Sequence, residues 1–208
     1  MLVGDASAFM DPFYSPGMDW LSITSYAAVG LILAQQKGEE VASLVAAHNE
    51  NFIRSHACWF TALYKDKYDY LGDFELMRTA FLLDLGLYYI GVAGLIYKEG
   101  AEALRYGVFI TPPSMPVYHL MRTYNRRLAA MARTRRERGT FGRRNDRQRF
   151  LFGGYTFERD GANTKHIAKA LLRWGWLEVT EGWRSWFGAQ PAATPAFDEA
   201  PVTATPPA

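Results

Sequence analysis

The residue types with the clearest chemical potential lie in one short segment, GDASAFMDPFYSPG at residues 4–17. Asp5 follows Gly4, and a strand that ended on this pair would present a carboxylate at the carboxyl edge of a sheet, where α/β folds bind ligands. A carboxylate there accepts hydrogen bonds from sugar or polyol hydroxyls. Residues 15–17, Ser-Pro-Gly, have the composition of a helix start, whose N–H groups and dipole favour negative charge. Together the two features predict a small site for a polyol with an anion beyond it.

This segment resembles the second FAD-contacting motif of the flavoprotein monooxygenases and the flavin-dependent halogenases. The family pattern GDAxxFxDPxxSxG lies at the end of an FAD-binding domain, and residues 4–17 match it at every fixed position. The resemblance implies that Asp5 binds the ribitol of FAD. It also implies that the helix end at Gly17 faces the pyrimidine edge of the flavin ring, where partial positive charge stabilises the anion of reduced flavin. The cofactor-side residues implied in this way are Gly4, Asp5, Pro12, Ser15 and Gly17. The implied substrate-side residues are Phe9, Phe13 and Tyr14.

The activity that the resemblance implies is activation of dioxygen by reduced flavin, followed by oxygenation or halogenation of an aromatic substrate. Both reactions stay open, since Pro16 stands where halogenases commonly have a second serine. No catalytic acid, base or nucleophile can be assigned, and no metal site is expected.

Several parts of such an enzyme are missing from the sequence. No Gly-x-Gly-x-x-Gly dinucleotide cradle occurs, nor does the Trp-x-Trp-x-Ile-Pro signature or the region that carries the family's catalytic lysine. We therefore expect the carboxyl-terminal part of a larger flavoprotein, produced by a truncated gene, a miscalled start or a split enzyme. Its expected partners are a missing amino-terminal FAD-binding half or a flavin reductase, and an aromatic small molecule. Alone, the chain should neither retain FAD tightly nor turn over.

A second candidate feature is the basic stretch from Arg122 to Arg149, which contains eleven arginines. Three interpretations stay open: arginines that pair acids on neighbouring helices along a solvated face, a site for an anionic substrate or protein partner, and a nucleic-acid site. The last two define a rival function, a non-enzymatic helical interaction module that binds an acidic partner or nucleic acid.

Other reactive side chains favour structural roles. His48 and His56 are eight residues apart, which exceeds the i, i+4 spacing of helical metal pairs, and Cys58 lacks a histidine partner for catalysis. The four tryptophans near the end are expected to seal a helical core, with an aromatic substrate pocket as the alternative; they are Trp174, Trp176, Trp183 and Trp186. Asp84 is the one candidate for a buried acid in its apolar surroundings.

The elements that would position these residues are mostly helices. We expect the end of a strand at residues 1–3 as a remnant of the FAD-binding domain, then a helix capped by Ser15 that ends before Gly38. Apolar residues at three- and four-residue spacing predict a second helix over 39–70. Asp73 and Asn163 are predicted caps of later helices that end near Gly100 and Trp174. A further helix is predicted over 117–138, and residues 149–157 are predicted to form a short strand or an extended segment. The predicted divisions are 1–37, the end of an FAD-binding domain; 38–188, a helical substrate-side domain; and 189–208, a disordered Pro/Ala-rich tail.

Composition limits the class of protein. Hydrophobic residues make up 49% and aromatic residues 15% of the 208 residues, which indicates a globular chain with a large core. One cysteine and no secretory signal pattern indicate a cytoplasmic protein. Residues 79–97 are long and apolar enough to span a membrane, but Asp84 and three glycines interrupt them, so a buried helix is expected instead.

Overall fold

A computed structural model describes residues 2–89, 114–147 and 161–187, and it is mainly helical, as the sequence predicts. Five α-helices run through these residues: α1 Gly17–Gln36, α2 Ala42–Trp59, α3 Phe74–Tyr88, α4 Met115–Glu137 and α5 Gly161–Thr180. The expected helix end near Gly100, the extended segment at 149–157 and the disordered tail lie outside the described residues.

The front of the chain differs from the expected strand. Val3 has extended dihedral angles, but Gly4–Ala6 forms a single 3₁₀ turn, and no residue in the described ranges belongs to a strand. A strand needs a neighbour to satisfy its backbone N–H and C=O groups, and the helical surroundings supply none. The 3₁₀ turn instead closes its own hydrogen bonds, from Ser7 N–H and Ala8 N–H to Gly4 O.

Helix α1 begins one residue later than expected and ends where expected. Ser15 is not its cap, because Ser15 adopts the left-handed conformation, Pro16 is the N-cap, and the first helical residue is Gly17. At the other end Gly38 has φ +79°, its N–H donates to Gln35 O, and the N–H of Glu39 donates to Ala34 O. This pair of bonds is the Schellman motif, which confirms the predicted C-terminal glycine.

The predicted helix over 39–70 is interrupted. Helix α2 ends at Trp59, a π-helical turn follows at Phe60–Tyr64, and a 3₁₀ turn spans Lys67–Asp69. The turns bring Lys67 and Tyr70 inward, where both are fully buried. Because the helix is interrupted here, the polar groups of Lys67 and Tyr70 lie in the core.

Helices α3, α4 and α5 form the main packed body. Asp73 caps α3 as predicted, since its Oδ1 accepts a hydrogen bond of 3.3 Å from the N–H of Leu76. α3 packs against α4 and α5, and α4 also contacts the two short turns after α2. Helix α5 begins at least two residues before Asn163, which is a buried residue inside the first turn and not the expected cap, and it runs beyond Trp174 to Thr180.

Among the described helices, α1 is the one that by length and composition could cross a membrane, with a mean hydropathy of 1.3. This is weak support for a span, since core helices of soluble proteins pass the same test. The part of 79–97 that the structure describes belongs to the packed body, because Asp84 is 1% exposed and Leu83 is fully buried there.

Candidate functional site

The segment that resembles the FAD motif folds around one cleft of about 500 Å³. Almost all of its lining comes from this segment and from the first residues of α1. The lining residues are Val3, Asp5, Ala6, Phe9, Met10, Pro12, Ser15, Gly17, Met18 and Leu21. Four of the five expected cofactor-side residues therefore share a single cavity, whose volume lies within the roughly 300–1,000 Å³ of small-molecule sites.

The Asp5 carboxylate lies against the amino-terminal end of α1. A Cβ placed on Gly17 would meet Asp5 Oδ2 at 3.5 Å and Oδ1 at 3.7 Å. The first backbone bond of the helix runs from Trp20 N–H to Pro16 O at 2.9 Å, so the N–H groups of Gly17 and Met18 precede the helical ladder. A carboxylate acceptor and the positive end of a helix dipole thus meet at one wall of the cleft.

Gly4, the fifth expected cofactor-side residue, is buried and does not line the cleft. Its φ of +56° turns the chain, and its N–H donates to Thr24 Oγ1 at 2.9 Å. A Cβ there would meet Leu21 Cδ1 at 2.9 Å. Gly4 therefore lets the chain pack directly on α1 and leaves Asp5 at the cleft.

Pro12, Phe13 and Tyr14 form a 3₁₀ turn whose two ends face the cleft and whose two middle residues do not. Asp11 begins the turn, since its Oδ1 accepts from Phe13 N–H at 2.8 Å, and Ser15 N–H closes it onto Pro12 O at 2.8 Å. Pro12 and Ser15 line the cleft, but Phe13 and Tyr14 do not. Of the three expected substrate-side residues, Phe9 alone lies at the cleft, and it is 65% exposed.

Side chains from α2, the following turn and α3 hold residues 9–19 in place. His56 Nε2 lies 3.0 Å from the carbonyl oxygen of Phe9 and must donate, because a carbonyl oxygen only accepts. Tyr68 donates its hydroxyl to Asp11 Oδ2, and Tyr88 donates to Asp19 Oδ2 at 2.5 Å. The cleft is therefore built on a segment tied to the helical body at several points.

The strongest tie runs through a buried polar cluster centred on Asp84, whose members are Tyr14, Lys67, Tyr70, Asp84, Tyr124 and Asn125. Asp84 Oδ2 accepts from the Tyr14 hydroxyl at 2.6 Å and forms an ion pair with Lys67, while Oδ1 accepts from Tyr124 and from Asn125 Nδ2. Lys67 Nζ also donates to the Tyr14 hydroxyl at 3.0 Å and to Asn125 Oδ1 at 3.3 Å. Both charges are thus paired and hydrogen-bonded, as burial requires.

The cluster perturbs its own ionisations. Burial raises the pKa of the Tyr14, Tyr70 and Tyr124 hydroxyls above the usual value, and the negative charge of Asp84 raises all three further. Burial also lowers the pKa of Lys67, although Asp84 opposes that shift. These hydroxyls accordingly stay protonated and act as hydrogen-bond donors at neutral pH.

Sequence reasoning identified Asp84 as a buried acid but missed its partners. Lys67 lies in the charged stretch KDKYDY at 65–70, which looks solvated, and Asn125 lies among arginines. Asp84 itself could have indicated that such partners exist, because a buried acid within an apolar run needs a cation and hydrogen-bond donors from other elements.

The arginine-rich stretch favours the pairing interpretation in the described residues. Arg127 binds Glu178 through two bonds of 2.8 and 2.9 Å, and Arg133 pairs with Asp69. Arg135 is buried and binds Asp73, Glu75 and Glu181, so it joins α4 to α3 and to the end of α5. Part of this basic charge is therefore neutralised within the fold.

The four tryptophans near the end of the chain differ in how far they are buried. Trp174 is half-buried and donates to Glu178, but Trp176, Trp183 and Trp186 are 60%, 44% and 57% exposed, so the expectation that all four seal the core is wrong. Their side of α5 and the turn after it faces outward because Ala170 and Leu177 already fill the inner side.

Cys58 packs against the core, and His48 is buried, which lowers its pKa. Within the described ranges, no group of three or more His, Cys, Asp or Glu side chains could hold a metal ion.

Comparison with known proteins gives no relative. No protein-family model matches the chain, and no curated protein or solved structure matches it significantly.

Proposed function

We propose that this chain is the carboxyl-terminal, mostly helical portion of a halogenase-like FAD-dependent oxidoreductase, and that its cleft contacts the ribitol and ring of FAD. The observation that carries the proposal is the meeting of the Asp5 carboxylate with the amino-terminal end of α1 at one wall of the cleft. The motif resemblance assigns a ribitol hydroxyl to the first and the flavin pyrimidine edge to the second.

The residues present fit the flavin on three counts. Asp5 is exposed, so its carboxylate has acceptor capacity beyond its contact with the helix end. Gly17 has no side chain, so a planar ring can approach the backbone N–H groups closely. Phe9, Met10 and Met18 give the cleft an apolar lining suited to an aromatic ring.

Each side chain has a definite task in this proposal. Asp5 accepts a hydroxyl hydrogen bond and orients the cofactor, and the N–H groups at Gly17 and Met18 favour negative charge on the ring. Phe9, which lines the cleft and is 65% exposed, supplies an apolar contact for the ring. When bound and reduced, the flavin would supply the activation of dioxygen for oxygenation or halogenation of an aromatic substrate.

The proposal includes a second polypeptide segment that binds the phosphates of FAD. No two glycines in the sequence are two residues apart, so no Gly-x-Gly-x-x-Gly turn exists in this chain. This chain then supplies the flavin-ring side of a shared site, and a flavin reductase or an FAD-binding half supplies the rest.

The test is a titration of the ¹⁵N-labelled chain with FAD and FMN. We expect weak, saturable binding that shifts the amide resonances of Asp5, Ser15, Gly17 and Met18. Replacing the carboxylate (Asp5→Ala) should weaken this binding about tenfold, because a charged acceptor is lost. The exposed acid Asp146 provides the control, and Asp146→Ala should leave binding unchanged. Absence of shifts at the cleft amides at millimolar FAD would refute the proposal.

Gly17→Ala separates flavin contact from folding. The added methyl would meet Asp5 at ordinary contact distance, so the unliganded fold should be preserved. It would occupy space at the helix end beside the Asp5 carboxylate, so FAD binding should fall while the melting temperature stays close to that of the parent protein. Equal FAD affinity in both proteins would argue against ring contact at Gly17.

The rival proposal, an interaction module that docks an acidic partner or nucleic acid, depends on exposed arginines that form no ion pair with another described residue. Arg126, Arg136, Arg138 and Arg143 are exposed and available for such contacts. A steep loss of DNA or RNA binding with rising salt would favour this function. No binding of either nucleic acid at low salt would eliminate that form of it.

A further inference from the structure

Ser15 holds an unusual backbone conformation at the cleft. Its φ of 54° and ψ of 41° are left-handed, and no other non-glycine residue in the described ranges has a positive φ. A serine adopts this conformation unfavourably and keeps it only where the surroundings over-determine it. The conformation matters because Ser15 lines the cleft and directs the chain into the helix start at Gly17.

Tyr14, the preceding residue, is anchored to the helical body. Its ring packs against Phe81 with centroids 5.6 Å apart and against Phe13 at 4.9 Å. Its hydroxyl donates to Asp84 on α3 at 2.6 Å and accepts from Lys67 at 3.0 Å. Adjacent residues therefore serve opposite sides of the turn, Ser15 the cleft and Tyr14 the buried cluster.

We propose that Tyr14 is a positioning residue of the cleft, whose hydroxyl, held by Asp84 and Lys67, fixes Ser15 in its left-handed conformation and sets the position of the α1 amino terminus. The inference rests on the proposed function only for the identity of the ligand, FAD. The shape of the cleft and its dependence on Tyr14 stand apart from any ligand.

A matched pair of Tyr→Phe variants tests the proposal. Tyr14→Phe keeps the ring and removes the hydroxyl that ties the cleft segment to the cluster. Tyr70→Phe removes a hydroxyl from the same cluster, where Tyr70 donates to Asn125 and is fully buried. Both variants disturb the cluster, but the first alone releases the turn.

The first measurement is native-state hydrogen exchange in the absence of any ligand. The amides to follow are Ser15, which bonds Pro12 O, and Trp20, which bonds Pro16 O. Relative to the buried core amide of Leu128, we expect exchange at both to be about tenfold faster in Tyr14→Phe and unchanged in Tyr70→Phe. Equal exchange in the two variants would overturn the positioning role, whatever FAD does.

The second measurement is rescue. Glycine adopts the left-handed conformation without steric cost, so adding Ser15→Gly to Tyr14→Phe should restore slow exchange at Trp20. If Tyr14→Phe fails to fold, Ser15→Gly alone is decisive: with Tyr14 in place, Trp20 should exchange at the parent rate, and faster exchange would show that the serine itself holds the turn.

The third measurement is the FAD titration described above. We expect Tyr14→Phe to bind FAD about tenfold more weakly than Tyr70→Phe, because the helix end is displaced. If the parent chain binds no FAD, the proposed function fails while the exchange result still decides the role of Tyr14. If FAD binds both variants equally although exchange differs, the cleft position does not govern binding and the inference fails for that ligand.

Discussion

Lys67 and Asp84 illustrate how two charges are tolerated in the core. Their side chains are 2% and 1% exposed, so each charge has lost its hydration. Desolvation at such a site costs several kcal/mol per ion, and the mutual attraction offsets it only when the other lone pairs and protons are bonded as well. Tyr14, Tyr124 and Asn125 supply those bonds. We therefore expect removal of one member of the pair to lower the free energy of unfolding much more than replacement of both members.

A double-mutant cycle measures this difference. Lys67→Met leaves an uncompensated buried carboxylate, so we expect the free energy of unfolding to fall by about 3–5 kcal/mol. Adding Asp84→Asn removes the charge and keeps an acceptor and a donor, so the double variant should recover part of that loss. Urea unfolding at pH 7 gives both values, and a double variant less stable than Lys67→Met would show that the charge of Asp84 is not the source of the cost.

At the scale of single elements, the ends of α1 are determined by different means. Its amino-terminal end depends on contacts from elsewhere in the chain, since Pro16 offers no side-chain cap. Its carboxyl-terminal end is local, because the left-handed Gly38 closes two backbone bonds on its own. A substitution in this local carboxyl-terminal motif should therefore change the free energy of unfolding by a predictable amount, with little influence from packing.

Two glycine substitutions check this. Gly38→Ala should cost roughly 1–2 kcal/mol, because alanine is strained at φ +79° although nothing lies within 4 Å of its Cβ. Gly175→Ala is the matched control: it also has open space around its Cβ, but it lies inside α5, where alanine should stabilise by about 0.5–1 kcal/mol. Thermal unfolding of both variants should show shifts of opposite sign; shifts of the same sign would contradict the assignment.

At the scale of the whole molecule, Arg135 connects three parts of the fold. It contacts Asp73 and Glu75 at 2.8 Å each, and its Nε lies 2.9 Å from Glu181. We expect Arg135→Leu to lower the free energy of unfolding by about 3–5 kcal/mol, because the buried Asp73 loses its ion-pair partner and Glu75 keeps only the more exposed Arg144 and Arg173. Arg143→Leu, at an exposed position six residues past Glu137, the last residue of the same helix, should change it by less than about 0.5 kcal/mol. Comparable effects in chemical denaturation would mean that Arg135 is not a link between the helices.

The buried tyrosines make the molecule sensitive to alkaline pH. Their pKa values in the folded chain lie above the unfolded value of about 10, so their stabilisation is complete below about pH 10 and is lost as pH rises beyond it. Lys67, whose folded pKa is lowered, acts in the opposite direction below about pH 10.4, but a single lysine does not outweigh three tyrosines.

Urea midpoints measured from pH 9 to 11 should therefore fall above pH 10. The free energy of unfolding should decrease by about 1.4 kcal/mol per pH unit for each buried tyrosine. Tyr124→Phe should reduce that slope. A midpoint that does not change over this range would contradict the buried, hydrogen-bonded state of these hydroxyls.

The sequence predicts the parts of this fold that depend on local chemistry. Three- and four-residue spacing predicted a helix over 39–70, which the structure interrupts after Trp59, and Asp73 and Gly38 marked two helix ends. It did not predict that Tyr14 turns away from the cleft, because that orientation follows from Asp84, which is 70 residues distant. The sequence likewise did not predict that Trp176 is exposed, because an apolar side chain alone does not indicate which face of a helix a neighbour covers.

The same long-range bond has a consequence for the order of folding. Tyr14 and Asp84 are separated by 70 residues and Phe9 and His56 by 47, so each tie closes a long loop. Loop closure of this kind follows the formation of local helices, because its entropic cost is recovered only once the partner elements are packed. During synthesis the motif segment leaves the ribosome well before Asp84. The cleft is therefore expected to be among the last parts of the chain to acquire its final shape, and a ligand that needs that shape can be captured only after the helical body exists.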